Sequence, residues 1–142
     1  LCESAAVVTL PDVARAWPAP ADFRPPADGV HLRWPDDALA MERRAKGPRR
    51  EAAIAFTRSA GVDRVLGATG PARLGVAAYG RSWGVLQEAL RELGLDGPEL
   101  ARLGVRLYKP AVPWPLEPSR ALEFLRGLET VVVVEDKRPL LE

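Results

Sequence analysis

Asparagine is absent from this 142-residue chain, and cysteine and histidine occur once each, as Cys2 and His31. One cysteine forms no internal disulfide, and a single Cys with a single His supplies no zinc or iron–sulfur ligand set. A Cys2–His31 nucleophilic pair is disfavoured, because Cys2 lies near a chain end and His31 in a proline-rich stretch. No run is apolar for long enough to span a bilayer and no cationic leader opens the chain, so the expected compartment is the cytoplasm. The formal net charge is only +1, and the seventeen arginines are scattered rather than striped. That excludes an electrostatic case for nucleic acid or an acidic membrane. There is no Gly-Lys-Ser/Thr phosphate loop, no dinucleotide fingerprint after a strand, and no acid–base pair set by spacing. As a stand-alone enzyme the sequence is unconvincing.

What is present is a core. A hydrophobic fraction of 47% in 142 residues suffices for one domain. It is organised around RLGVAAYGRSWGVLQEALRELG, Arg73 to Gly94. Leu74 to Ala78 is apolar without alternation, as in a strand covered on both faces. Gly80 breaks the strand, Ser82 is a candidate N-cap, and Val85, Leu86, Ala89, Leu90 and Leu93 recur at helical spacing up to the stop at Gly94. Open parallel sheets bind ligands at the carboxyl ends of their strands, which makes Gly80, Arg81 and Ser82 candidate binding or interface residues. The alternative is that this glycine simply turns the chain.

The remaining segments follow the same grammar. Ser4 to Leu10 reads as a first strand, and five prolines from Pro18 to Pro35 dictate an extended wrap with a short edge strand at Val30 to Trp34. Trp17, Phe23 and Trp34 are expected to pin that wrap to the domain, the alternative being an aromatic ligand cage. Asp36 is a candidate N-cap for a helix through Met41, interrupted at Gly47 and Pro48, and Glu51 to Ala60 is a second helical run. Between them Arg43, Arg44, Lys46, Arg49 and Arg50 form either a solvated junction or a phosphate or acidic-partner contact. Asp63 to Leu66 is a short strand or a connection. A brief helix, Pro98 to Leu103, precedes a core strand at Val105 to Tyr108. KPAVPWPLEP, Lys109 to Pro118, carries four prolines in ten residues and forms a stiff loop with Trp114 as a partner-contact candidate, or packed on its own domain.

A helix over Ser119 to Leu128 then leads to Thr130 to Val134, whose four consecutive valines read as the most buried strand of the chain. Val132→Asp is therefore expected to abolish soluble expression. Glu135, Lys137 and Arg138 follow at its carboxyl end, as ligand-edge charges or a salt-bridged terminus. The fold class is α/β, a mostly parallel open sheet with helices on both faces. Residues 1–35 form a proline-rich N-terminal extension and residues 36–142 the α/β domain. A start at Leu1 and a stop soon after an apolar strand suggest a piece of a longer protein.

LGVAAYGRSWGVLQEALRELGLD, followed by the PWPLEP loop and VVVVEDKRPLLE, resembles the indolepyruvate ferredoxin oxidoreductase family, within the thiamine-dependent 2-oxoacid:ferredoxin oxidoreductases. The resemblance is to the transketolase C-terminal-like second domain and covers Arg73 to Glu142 best. The helix ending AIAFTRSAGVDRV also fits. Arg81 stands where the family usually has lysine and Asp136 where it favours glutamate. A guanidinium does not replace an ammonium at a close contact, so Arg81 takes no fixed role. The resemblance implies an intact enzyme that decarboxylates arylpyruvates oxidatively to the acyl-CoA. Electrons would pass through thiamine diphosphate with magnesium and iron–sulfur clusters to ferredoxin. The Gly-Asp-Gly and Asn elements of a thiamine diphosphate site are missing here. This stretch is expected to be noncatalytic, to bind no cofactor or metal itself, and to contact other domains or subunits of a homo-oligomeric enzyme. The alternative is a stand-alone small-ligand or anion-binding module built on Gly80–Ser82 with Lys137 and Arg138.

Overall fold

The computed structural model describes residues 20–34 and 36–141. The Ser4 to Leu10 strand, Cys2 and Trp17 lie outside the described residues. Helix α1, Ala38–Arg44, is followed by a π-helical turn, Ala45–Arg49, that kinks at Gly47 (φ −97°, ψ −109°) ahead of Pro48. Helix α2, Arg50–Ala60, ends at a left-handed Gly61. Then come β1 (Arg64–Gly67), β2 (Leu74–Ala78), α3 (Gly80–Glu92), α4 (Gly97–Arg102), β3 (Val105–Lys109), α5 (Pro118–Leu125) and β4 (Thr130–Val134).

The strands form one open sheet in the order β1-β3-β2-β4. Strand β2 pairs in parallel with β3 and β4, and β1 runs antiparallel to β3. Alternation along the strands divides the core in two. Val76, Ala78, Val105, Leu107 and Val134 meet Trp83, Leu86 and Leu90 of α3 and Leu100 of α4 on one face. Ala77 and Tyr108 meet Phe124 and Ala121 of α5, with Leu128, on the other. Two-face coverage accounts for the unbroken apolar run of β2, the central strand.

Gly75 lies on the α5 face of β2. A Cβ there would run into Leu128 Cδ1 and stand 2.6 Å from Phe124 Cζ. Gly75→Ala is expected to destabilise by about 1–3 kcal/mol, the range for overpacking, visible as a lower urea midpoint at unchanged slope.

Four local expectations are corrected. The N-cap of α1 is Asp37, not Asp36; its extended backbone lets Oδ1 accept from Ala40 N at 2.8 Å, while Asp36 lies 3.6 Å from Arg44. Helix α3 starts before Ser82, because Gly80 at φ +55° turns the chain directly out of β2 and Tyr79 occupies the cap. Val30 to Trp34 forms no strand, and Trp34 is 93% exposed rather than pinning the wrap. The wrap is instead tied by ion pairs, Asp28 to Arg44 at 2.7 Å and Asp22 to Arg58.

The largest correction concerns β4. Among the described residues it is an edge strand paired with β2 alone, with Val131 38% and Val132 45% exposed. Four valines specify a strand with apolar faces, but nothing local specifies neighbours on both sides. At 45% exposure the carboxylate of Val132→Asp keeps its water, so the expected loss of soluble expression does not follow in this chain.

Candidate functional site

Because β3, β2 and β4 are parallel neighbours, the segments leaving their carboxyl ends share one edge of the sheet. Gly80, Arg81 and Ser82 follow β2, the proline loop with Trp114 follows β3, and Glu135, Lys137 and Arg138 follow β4. The connections from β2 and β3 leave toward opposite faces, which makes the crevice between them the switch point of the sheet.

The loop after β3 is fastened at both ends by carboxylates. At its start Asp63, just before β1, accepts from Tyr108 Oη at 2.7 Å and from Ala111 N at 2.8 Å. Burial, then the bond to Asp63, pushes the Tyr108 phenol well above its ordinary range. At the far end Glu117, fully buried, caps α5. It accepts from Ser119 Oγ (2.7 Å), Arg120 N (2.9 Å), Ser119 N (3.2 Å) and Arg58 Nε (2.9 Å). Burial alone would raise its pKa; the Ser119 hydroxyl, Arg120 N–H and Arg58 outweigh that and hold it at about 2. Between these two anchors Trp114 stands 68% exposed, with the Arg50 guanidinium 5.7 Å from its ring centroid. Trp114→Ala is expected to change the melting free energy by no more than about 0.5 kcal/mol, as for an exposed side chain; a loss of several kcal/mol would place the ring in the core.

After β4, Glu135 Oε1 accepts from Leu140 N at 2.9 Å and Leu141 N at 3.1 Å, folding the segment back on itself. Lys137 takes φ 72° in this turn, which side chains with a Cβ adopt at a cost. Tyr79, one residue past β2, has its phenol pKa raised by loss of hydration and by the charges of Glu135 and Asp136. Arg81, Lys137 and Arg138 are exposed and Ser82 half-buried. None of these seven candidates lines the groove beside β1 and the β1–β2 loop or the groove between α3 and α4. The carboxyl edge presents a surface of mixed charge around an aromatic.

The basic group near the α1–α2 junction is largely spoken for. Arg44 bonds Asp28 and Gly29 O, Lys46 pairs with Glu42, and Arg50 covers Trp114. Three residues that hold this edge were not singled out from sequence. Glu117 could have been: a carboxylate directly before a proline that opens a helix is a capping signal. Asp63 and Tyr79 carry no such signal, because their partners are distant in sequence.

The sequence model described as the indolepyruvate oxidoreductase domain matches residues 63–142, more than half of the chain. The chain belongs to the indolepyruvate oxidoreductase family. Curated members of that family include the indolepyruvate oxidoreductase subunits IorA of Methanothermobacter thermautotrophicus and Pyrococcus horikoshii. The first is 29% identical over 127 residues, covering 84% of this chain and 19% of that protein. The second is 34% identical over 71 residues, covering 50% and 10%. The family relatives are therefore five to ten times longer than the part this chain spans. Among solved structures, 2-oxoglutarate:ferredoxin oxidoreductase from Magnetococcus marinus is similar at 21% identity and a TM-score of 0.46, covering 84% of this chain and 19% of that one.

Among the described residues no three His, Cys, Asp or Glu side chains converge, and the sequence offers one cysteine, one histidine and no asparagine. Among the described residues no helix is long and apolar enough to cross a membrane.

Proposed function

We propose that this chain is a noncatalytic structural and assembly domain, the transketolase C-terminal-like second domain, of a 2-oxoacid:ferredoxin oxidoreductase acting on arylpyruvates such as indolepyruvate. The observation that carries the reading is the family match over residues 63–142. The whole enzyme decarboxylates the 2-oxoacid oxidatively to its acyl-CoA and passes the electrons to ferredoxin in the cytoplasm. Thiamine diphosphate with magnesium and iron–sulfur clusters reside on its other domains or subunits. Residues 36–142 are the domain proper and residues 1–35 its extension.

The role of this segment is to build interfaces. Its carboxyl edge presents Trp114 stacked with Arg50, the Gly80–Ser82 turn, and the charges of Lys137 and Arg138 in a geometry fixed by Asp63 and Glu117. Such an aromatic–arginine pair on a stiff loop suits a protein contact. The stand-alone anion-binding module is not favoured, since the family match supplies a larger setting for the same turn.

The intact natural polypeptide, reconstituted with thiamine diphosphate and magnesium, is expected to reduce a low-potential viologen dye in a reaction that needs both indolepyruvate and CoA. The 142-residue chain alone gives no reduction. An intact protein inert toward every arylpyruvate and other 2-oxoacid would overturn the reading.

A further inference from the structure

A chain with twenty Lys and Arg side chains and nineteen Asp and Glu can match its surface charges locally. Away from the carboxyl edge of the sheet several exposed arginines are matched in this way: Arg73 by Glu129, Arg91 by Glu88 and Arg102 by Glu99. The carboxyl edge is built differently, because its carboxylates are turned inward. Asp63 accepts from Tyr108 Oη and Ala111 N, Glu117 from Ser119, Arg120 N and Arg58, and Glu135 from Leu140 N and Leu141 N. Each of these holds the loops of the edge in place.

The cations of the edge are left over. Arg64 enters β1 opposite Lys109, the last residue of β3, because β1 is antiparallel to its neighbour. Arg81 follows β2, Lys137 and Arg138 follow β4, and Arg50 lies over Trp114. Among the described residues none of these six side chains makes an ion pair; Lys109 is half-buried and the other five are exposed. Against them stand the exposed carboxylates Glu51 and Asp136. A chain whose net charge is only +1 thus concentrates unmatched positive charge at one edge.

Exposed cations are solvated by water, but a partner that covers them strips that water and leaves an uncompensated charge unless it brings negative groups of its own. We propose that the carboxyl edge docks against an acidic surface of the parent enzyme outside residues 1–142, whose Asp and Glu side chains pair with Arg64, Arg81, Lys109, Lys137 and Arg138 around Trp114. This rests on the reading of the edge as an assembly interface of a longer oxidoreductase, and it names the chemistry of the partner. Guanidinium groups form bidentate pairs with carboxylates, and complementary charge aligns two faces as they approach. Trp114, with Arg50 over its ring, supplies the aromatic centre that a charged rim surrounds. The cations stand on five separate segments with Asp136 among them, which suits discrete carboxylates better than the continuous charge of a phosphate backbone.

The test is zero-length cross-linking of the intact natural polypeptide, in the assembly in which it is isolated, with a water-soluble carbodiimide. That reagent joins an amine to a carboxylate only where the two touch. Lys137 serves as it stands, and Arg81→Lys, in a second protein, places an amine at the β2 side of the edge. Peptide mapping is expected to find both positions joined to Asp or Glu residues outside 1–142, in yields that fall about threefold between 50 mM and 0.5 M salt as screening shortens the reach of the charges. Links confined to residues 1–142 of the same or a second copy, links to nuclease-sensitive material, or no link at either position overturn the proposal. A yield indifferent to salt does so as well. Dye reduction on the same preparation separates the two readings: links as expected without 2-oxoacid activity keep the acidic contact and remove the oxidoreductase assignment, whereas activity without links removes the acidic contact alone.

Discussion

Arg106→Met is expected to lower the unfolding free energy by about 3–5 kcal/mol, a large share of the ~5–15 typical of a domain. Arg106 lies on β3 facing α5 and is 9% exposed. Among the described residues its guanidinium pairs with no carboxylate. It donates instead to four backbone carbonyls: Ala68 at 3.2 Å, Gly70 at 2.9 Å, Phe124 at 2.9 Å and Arg126 at 3.0 Å. Two of these belong to the loop joining β1 to β2 and two to the last turn of α5 and the residue after it. One cation therefore closes a helix C-terminus, where the macrodipole favours positive charge, and fixes a glycine-containing loop against it.

Methionine keeps the apolar stem and loses every donor. Each hydrogen bond from a charged group contributes about 1.5–3 kcal/mol, and the four are not additive. Recovery of the arginine's own hydration in the unfolded chain offsets part of the sum, which sets the expected net figure. Arg106→Lys should fall roughly halfway, since an ammonium has three donors and cannot span four carbonyls in one plane. Urea unfolding checks both, with midpoints falling about 2 M for Met and about 1 M for Lys on typical slopes. A methionine variant within about 1 kcal/mol of the parent would show that water replaces the guanidinium freely in the adjoining groove.

The second large effect is at Glu117, and it depends on pH. Its carboxyl is held at about 2 in the folded chain, against 4.5 as the ordinary value. A depressed folded pKa contributes stability that is complete above the unfolded value and disappears as pH falls through the folded one. The contribution is therefore full above about pH 5, declines below pH 4.5 and is gone near pH 2. Two and a half pH units correspond to about 3 kcal/mol. Most of it comes from the buried bonds with Ser119 and Arg120, because the Arg58 side chain is 41% exposed and its share is screened by water and salt.

Glu117→Gln should melt about 10 °C below the parent at pH 7, with the gap closing as the pH approaches 2. Raising the salt from 50 mM to 0.5 M should narrow the gap only slightly. A pH-independent gap would mean that the glutamate acts through shape alone. Because Glu117 anchors one end of the loop that carries Trp114, the same variant should loosen the carboxyl edge, seen as faster amide exchange from Ala111 to Leu116.

The order and type of the main elements were legible in the sequence because each rests on local chemistry. The apolar run Leu74–Ala78, the positive-φ glycine after it and the amphipathic α3 all obey rules that act within a few residues. Gly47–Pro48 as a helix break and Gly94 as a stop belong to the same class. Family membership was legible for a related reason: the PWPLEP loop and the VVVVEDKRPLLE segment lie within a fixed short separation on the chain.

What only the tertiary structure decided is which strand stands where and what each buried polar group holds. Periodicity reports that both faces of Thr130–Val134 are apolar, but the number of its neighbours is set by crossovers through α5, so an expected central strand stands at the edge of the sheet among the described residues. Ser82 and Trp34 followed local preference as candidates, and a glycine turn and ion pairs from α1 and α2 made each unnecessary in the expected role. Arg106 looks in sequence like any strand arginine between Val105 and Leu107. Its four carbonyls come from 18 to 38 residues away along the chain. A long-range hydrogen-bond hub has no local signature, because its geometry exists only once the sheet has brought the loop and the helix end together.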